Sequence, residues 1–152
     1  MSINEEVQIL RNIPLFARIE PSKLKLLAFT SERVAFRAGE LLVRQGDVAD
    51  CAYIVIQGDA DVLVDTPQGQ VSVATLGRND IIGEVAILID IPRTATVRAK
   101  SDMVTLRISK ELFFRLVTEF PQMAVEIMRE LAQRLEKTTS QLREAMSRAA
   151  RA

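Results

Sequence analysis

The chain has 152 residues, 48% hydrophobic and 26% charged, enough for one well-cored domain and too few for two. Its 20 basic and 20 acidic residues cancel, which argues against an all-over phosphate-binding surface for DNA or RNA while leaving room for a small local anion. With no histidine and a single cysteine, Cys51, the usual zinc and haem ligand sets, a four-cysteine iron–sulfur site, an internal disulfide and Ser–His or Cys–His nucleophile pairs are all excluded.

The start, "MSINEEVQILRN", lacks the basic and apolar regions of a signal peptide. No apolar run approaches the roughly 18 to 20 residues of a membrane span, so a cytoplasmic protein that meets no membrane is expected. "EEVQILRNIPLF" and "PSKLKLLAF" read as short amphipathic helices, the second opened by Pro21-Ser22. From Arg33 the texture changes to short β-branched or alternating runs: "VAFRAGELLVRQGD", "CAYIVIQGDADVLVD", "GQVSVATLGRND" and "TATVRAKSDMVTLRIS". Turn signals punctuate them, among them Gly46-Asp47, Gly58-Asp59 and Gly77-Arg78-Asn79-Asp80. Near-regular short strands predict an antiparallel β-roll, with "EVAIL" as a single helical turn inside it. After Ser109 the helical period returns: "KELFFRLVTEF" is one helix, and Pro121 opens a second that runs nearly to the end. The expected architecture is therefore mainly β with flanking helices, one domain over 1–152. Helices fill 1–32, a β-roll 33–109, and helices 110–150.

The last helix carries a seam. Ala124, Met128, Leu131, Leu135, Thr138, Leu142, Ala145 and Ala149 follow one another at alternating steps of 4 and 3, a heptad pattern. Its first two turns, with Ile127 beside Met128, suit packing on the chain's own domain. A helix this long overruns a small roll at about 1.5 Å per residue, so the second half is expected to pair with another subunit. Thr138 is the polar member of the seam, and Thr139 stands next to it.

The chemistry concentrates in "GEVAILIDIPRTATVRA", where Glu84 and Arg93 bracket an apolar run. A glycine leading into a helix exposes backbone N–H groups without intrahelical partners, which favour an anion. Arg93 offers a planar fork for two phosphate oxygens, and Thr94 adds a hydroxyl. Glu84 is acceptor-only and suits a sugar hydroxyl. Donors for a phosphate and an acceptor for a hydroxyl on one loop suit a nucleotide. The plainer alternative is an ion pair between Glu84 and Arg93 closing a hairpin end. No paired carboxylates stand out for acid–base work, so the chain reads as a binder and not an enzyme.

"GEVAILIDIPRTATV" closely resembles the phosphate-binding cassette, here 82–97, of cyclic nucleotide-binding domains. These are shared by cAMP-dependent kinase regulatory subunits, nucleotide-gated channels and the bacterial catabolite activator family. The resemblance extends upstream through "FRAGELLVRQGDVADCAYIVIQGDADV" and covers roughly Asn12 to Ala145. Ile82 stands where an aromatic is frequent, and Asp90-Ile91 occupies the variable tip. The resemblance implies that Glu84 accepts from the ribose 2′-hydroxyl and that Arg93 pairs with the cyclic phosphate. Amides near Gly83, Val85 and Ala86 would complete the cradle with Thr94. It further implies that "AQRLEKTTSQL" is similar to the catabolite activators' dimer helix, with Thr138 and Thr139 as base contacts and Arg134 positioning Glu84.

The expected ligand is then cAMP, with cGMP open because Thr94 is a residue type that relatives use with both. No metal or other cofactor is implied. The expected mechanism is a ligand-linked move of the terminal helices in a homodimer, passed to an unidentified effector protein. "MSRAARA" leaves no room for the catabolite activators' helix-turn-helix, so direct nucleic-acid contact is not expected. A nucleotide-independent dimerising adaptor, and the sensor fragment of a DNA-binding regulator, are the alternatives.

Overall fold

The computed structural model describes residues 2–14 and 16–151. Two helices open the chain, α1 (Ile3–Arg11) and α2 (Pro21–Thr30). Ser2 caps the first by accepting from the Glu5 N–H at 3.3 Å, with Glu5 and Glu6 in its first turn and Arg11 in its last. Pro21 opens the second, where a missing N–H costs nothing.

Eight strands follow: β1 (Glu32–Phe36), β2 (Leu41–Val43), β3 (Cys51–Gln57), β4 (Ala60–Thr66), β5 (Gly69–Leu76), β6 (Ile81–Ile82), β7 (Thr96–Ala99) and β8 (Met103–Ser109). They form two four-stranded antiparallel sheets, ordered β1-β8-β3-β6 and β2-β7-β4-β5. This is the antiparallel roll expected from the turn spacing, reached one residue early, at Glu32. Strand β3 explains why "CAYIVIQ" shows no alternation: it is buried on both faces. Ala52, Ile54 and Ile56 join a core shared with the helices, which includes Phe16, Leu24, Phe113, Met123 and Ile127. Cys51, Tyr53 and Val55 face a second core between the sheets, with Leu42, Val97 and Met103.

The short helix α3 (Glu84–Leu88) leaves β6 and sets Ala86 and Ile87 into the helix-side core. Two helices close the chain, α4 (Lys110–Glu119) and α5 (Pro121–Arg151). The Ser109 hydroxyl caps α4 by accepting from Leu112 N–H at 3.1 Å. Helix α5 has 31 residues and so runs about 46 Å. Its buried residues are Met123 and Ile127, with Leu131 partly covered. Met128, placed by its position in the heptad seam, is exposed, because the stripe that meets the domain is one residue out of phase with that seam. Beyond Leu131 the helix is almost wholly exposed, Leu135 at 68% and Leu142 at 57%.

Candidate functional site

A cavity of about 390 Å³ opens where β6, α3 and the loop before β7 meet α5. Its size is that of a small-molecule site. Gly83, Glu84, Val85 and Ala86 line one wall, Arg93 and Thr94 another, and Arg134 closes it from α5. Seven of the sequence-derived site residues are thus brought together by the fold. Thr138 and Thr139 are not: they lie further along α5, outside this cavity, with Thr138 exposed and Thr139 half-buried.

Gly83 makes the geometry possible. It caps α3 with a left-handed φ of 89°, and a Cβ there would collide with Arg93 Nη1. Only glycine meets both conditions without strain. The Arg93 guanidinium consequently lies against the backbone, donating from Nη2 to Cys51 O at 2.6 Å and from Nη1 to Gly83 O at 3.2 Å. The Arg93 backbone is pinned as well: its N–H donates to Asp47 O at 2.8 Å, and its carbonyl accepts from Gly46 N–H at 2.9 Å.

Arg93 is 5% exposed, yet no carboxylate among the described residues pairs with it. Its only other guanidinium hydrogen bond among the described residues runs from Nη2 to Cys51 Sγ at 3.6 Å. An interior cation held by two carbonyls and a sulfur is costly unless an anion completes its coordination. The guanidinium has five N–H donors, so the two carbonyl bonds leave others for a ligand. The ion pair between Glu84 and Arg93 that would have made this a hairpin clasp does not form.

Glu84, also 5% exposed, pairs instead with Arg134, whose Nη1 donates to Oε1 at 2.5 Å. Arg134 Nε sits 3.5 Å from Glu130, one helical turn earlier. Burial works against the Arg134 charge, but the Glu84 hydrogen bond and charge outweigh it with help from Glu130, and the guanidinium is held above its ordinary value. One Glu84 oxygen, Oε1, is thereby fixed on Arg134. The tip of the loop is tied down by Lys110 Nζ, which donates to Asp90 at 2.8 Å and lowers that carboxyl's pKa.

The sequence reading passed over several residues of the cavity wall. Glu130 carried a signal, since it stands four residues before Arg134. Asn79 was read only as a turn residue. Ile13, Pro14, Val62 and Leu76 come from distant parts of the chain and had no local signal at all. Among the described residues no group of acidic or cysteine side chains is placed to hold a metal ion, and no helix is long and apolar enough to cross a membrane.

A family model for the cyclic nucleotide-binding domain matches residues 33–120, more than half of the chain. The chain belongs to the cyclic nucleotide-binding domain family. The domain is 36% identical over 109 residues to a cAMP-dependent protein kinase regulatory subunit of Blastocladiella emersonii, covering 71% of this chain and 27% of that protein. It thus spans about a quarter of that relative's length.

Among solved structures, the N-terminal domain of a transcriptional regulator from Streptomyces coelicolor A3(2) is 30% identical with a TM-score of 0.73. That match covers 87% of this chain and 95% of the other. The regulatory domain of Toxoplasma gondii PKA, solved with cAMP, is 26% identical with a TM-score of 0.71, over 74% of this chain and 43% of that one. The roll of two antiparallel sheets, with flanking helices and a long C-terminal helix, is the fold these comparisons support.

Proposed function

We propose that this cyclic nucleotide-binding domain is a sensor for a 3′,5′-cyclic nucleotide, cAMP before cGMP. The observation that carries the reading is the buried Arg93 guanidinium without a carboxylate, facing the same cavity as the Arg134-held carboxylate of Glu84. Arg93, Thr94 and the amides near Gly83, Val85 and Ala86 take the cyclic phosphate. Glu84 accepts from the ribose 2′-hydroxyl, with Arg134 fixing its direction. The choice of cAMP is supported by the relative named as a cAMP-dependent kinase subunit and the neighbour solved with cAMP.

The domain passes the signal on through α5, as a homodimer. Support comes from its second half, which leaves the core and exposes Leu135 and Leu142 on one stripe. Thr138 and Thr139 then sit where the two copies meet and supply hydroxyls to the base. The domain does no chemistry of its own and hands the change to an effector protein. In a second reading, supported by the likeness to a transcriptional regulator's N-terminal domain, that effector is a DNA-binding segment of a longer chain.

Melting curves of nucleotide-free protein test the ligand. A ligand at 100 times its Kd adds about 2.7 kcal/mol to stability, so cAMP should raise the melting temperature while 5′-AMP, with its open phosphate, should not. A shift no larger with cAMP than with 5′-AMP would sink the proposal. Replacing both Thr138 and Thr139 with Val should lower the preference for cAMP over cGMP, and an unchanged ratio would remove them from the base site.

A further inference from the structure

The donor inventory of a 3′,5′-cyclic nucleotide is short. Its phosphate only accepts, its 3′- and 5′-oxygens are esterified, and the 2′-hydroxyl is the one donor of the sugar. Glu84 is the charged acceptor for that hydroxyl. Every remaining ligand N–H belongs to the base, so an uncommitted acceptor elsewhere in the cavity wall faces base donors or nothing.

Asn79 is such an acceptor. It lines the cavity from the turn between β5 and β6. The turn is closed by Asp80 N–H donating to Gly77 O at 3.0 Å, and by Gly77 N–H donating to Asp80 Oδ2 at 2.9 Å. Asn79 itself has a left-handed φ of 75°, and its N–H donates to Val55 O at 3.0 Å. Such a turn position favours glycine or asparagine. Backbone demands therefore explain either residue, but they do not explain the amide. Asn79 Oδ1 is buried without a hydrogen-bond partner, the one such side-chain atom among the described residues. A buried acceptor left unmade is costly, and glycine would serve the turn without incurring that cost. Asp80, the other acceptor on the turn, is already turned back to Gly77.

We propose that Asn79 reads the base: a turn of its side chain brings Oδ1, shielded from solvent in the ligand-free protein, to the cavity surface, where it accepts an N–H from the amino or ring-nitrogen edge of the bound purine. The inference rests on the nucleotide reading of the cavity. A neutral amide suits the task, since it accepts without adding another negative charge to a wall that already holds Glu84 and Glu130 around an anionic ligand.

Asn79→Gly keeps the backbone of the turn and removes the amide. Wild type and variant are titrated calorimetrically with cAMP, cGMP and purine riboside 3′,5′-cyclic monophosphate, which has no base N–H. One neutral hydrogen bond corresponds to roughly three- to tenfold in affinity. The variant should bind the tighter of cAMP and cGMP more weakly by about that factor, with the donor-free analogue unchanged to within about twofold. The ligand-free variant should melt no lower than wild type, because a buried orphan acceptor has gone. Equal weakening of all three ligands, or of none, overturns the assignment. So does a fall of several degrees in the ligand-free melting temperature, which would make the amide a support of the fold. Wild type that binds none of the three overturns the nucleotide reading itself, and this inference with it.

Discussion

Arg93→Ala separates ligand binding from folding, because the two depend on the guanidinium in opposite ways. In the ligand-free protein, the side chain contributes two hydrogen bonds to carbonyls, at 2.6 and 3.2 Å. It also keeps a cation 5% exposed with no carboxylate partner. Truncation strands the Cys51 and Gly83 carbonyls at about 1–3 kcal/mol each if water cannot reach them. Removal of the unpaired buried charge offsets much of this loss. The net cost should be at most about 2 kcal/mol, a fall of roughly 4–8 °C in melting temperature for a chain of this size.

Binding has no such offset. Two charge-assisted bonds to a phosphate are worth about 1.5–3 kcal/mol each, so their loss removes about 3–6 kcal/mol, or two to four orders of magnitude in Kd. Arg93→Lys should fall between, since a point charge keeps the attraction and loses the fork. Calorimetry with cAMP on wild type and both variants, beside melting curves without ligand, reads the two quantities separately. A folded Arg93→Ala protein that binds cAMP within about threefold of wild type would refute the reasoning, as one charge-assisted bond alone exceeds that difference.

Three further outcomes are expected. Glu84→Gln should weaken cAMP by roughly tenfold, the worth of one charge-assisted bond to a hydroxyl, and leave 2′-deoxy-cAMP nearly unaffected; equal losses for both nucleotides would detach Glu84 from the ribose. The pair Leu135→Glu and Leu142→Glu puts charge on the exposed stripe of α5 and should convert dimers to monomers in sedimentation velocity without lowering the melting temperature of the roll; an unchanged sedimentation coefficient would place any dimer contact elsewhere. Burial pushes the Tyr53 hydroxyl up to about 12, with the neighbouring Cys51 adding to the rise and Arg107 opposing it. A folded-state value above the unfolded one gives stability that is present below pH 10 and lost as pH climbs from 10 toward 12, on the order of 2–3 kcal/mol in all. Melting curves over that window should fall more steeply for wild type than for Tyr53→Phe, and parallel curves would contradict this.

How much of this was legible in the sequence follows from whether each signal was local. The roll was, because turns such as Gly46-Asp47 and Gly77–Asp80 cut the chain into strand lengths. The cassette was too: Gly83, Glu84, Arg93 and Thr94 lie within twelve consecutive residues, and the backbone needs of Gly83 explain why they come together. The burial phase of α5 was not. A heptad stripe says that a helix has an apolar side, but only the docked domain decides whether Met123 and Ile127 or Met128 faces it. The environment of Arg93 was equally hidden. Its nearest acceptors, the carbonyls of Cys51 and Gly83, are backbone groups that every residue carries, so no residue type marks them. Asn79 was correctly placed in a turn, but the demand of that turn for a left-handed residue masked an amide oxygen with no partner in the fold.

The most direct test of the central claim is calorimetric titration of nucleotide-stripped protein with cAMP and then with cGMP. The account predicts saturable binding of one cAMP per chain at a micromolar Kd or tighter, about 8 kcal/mol or more, and weaker binding of cGMP. Folded, nucleotide-free protein that gives no heat with either ligand at several temperatures would contradict it, and would leave Arg93 a buried cation without the anion its surroundings call for.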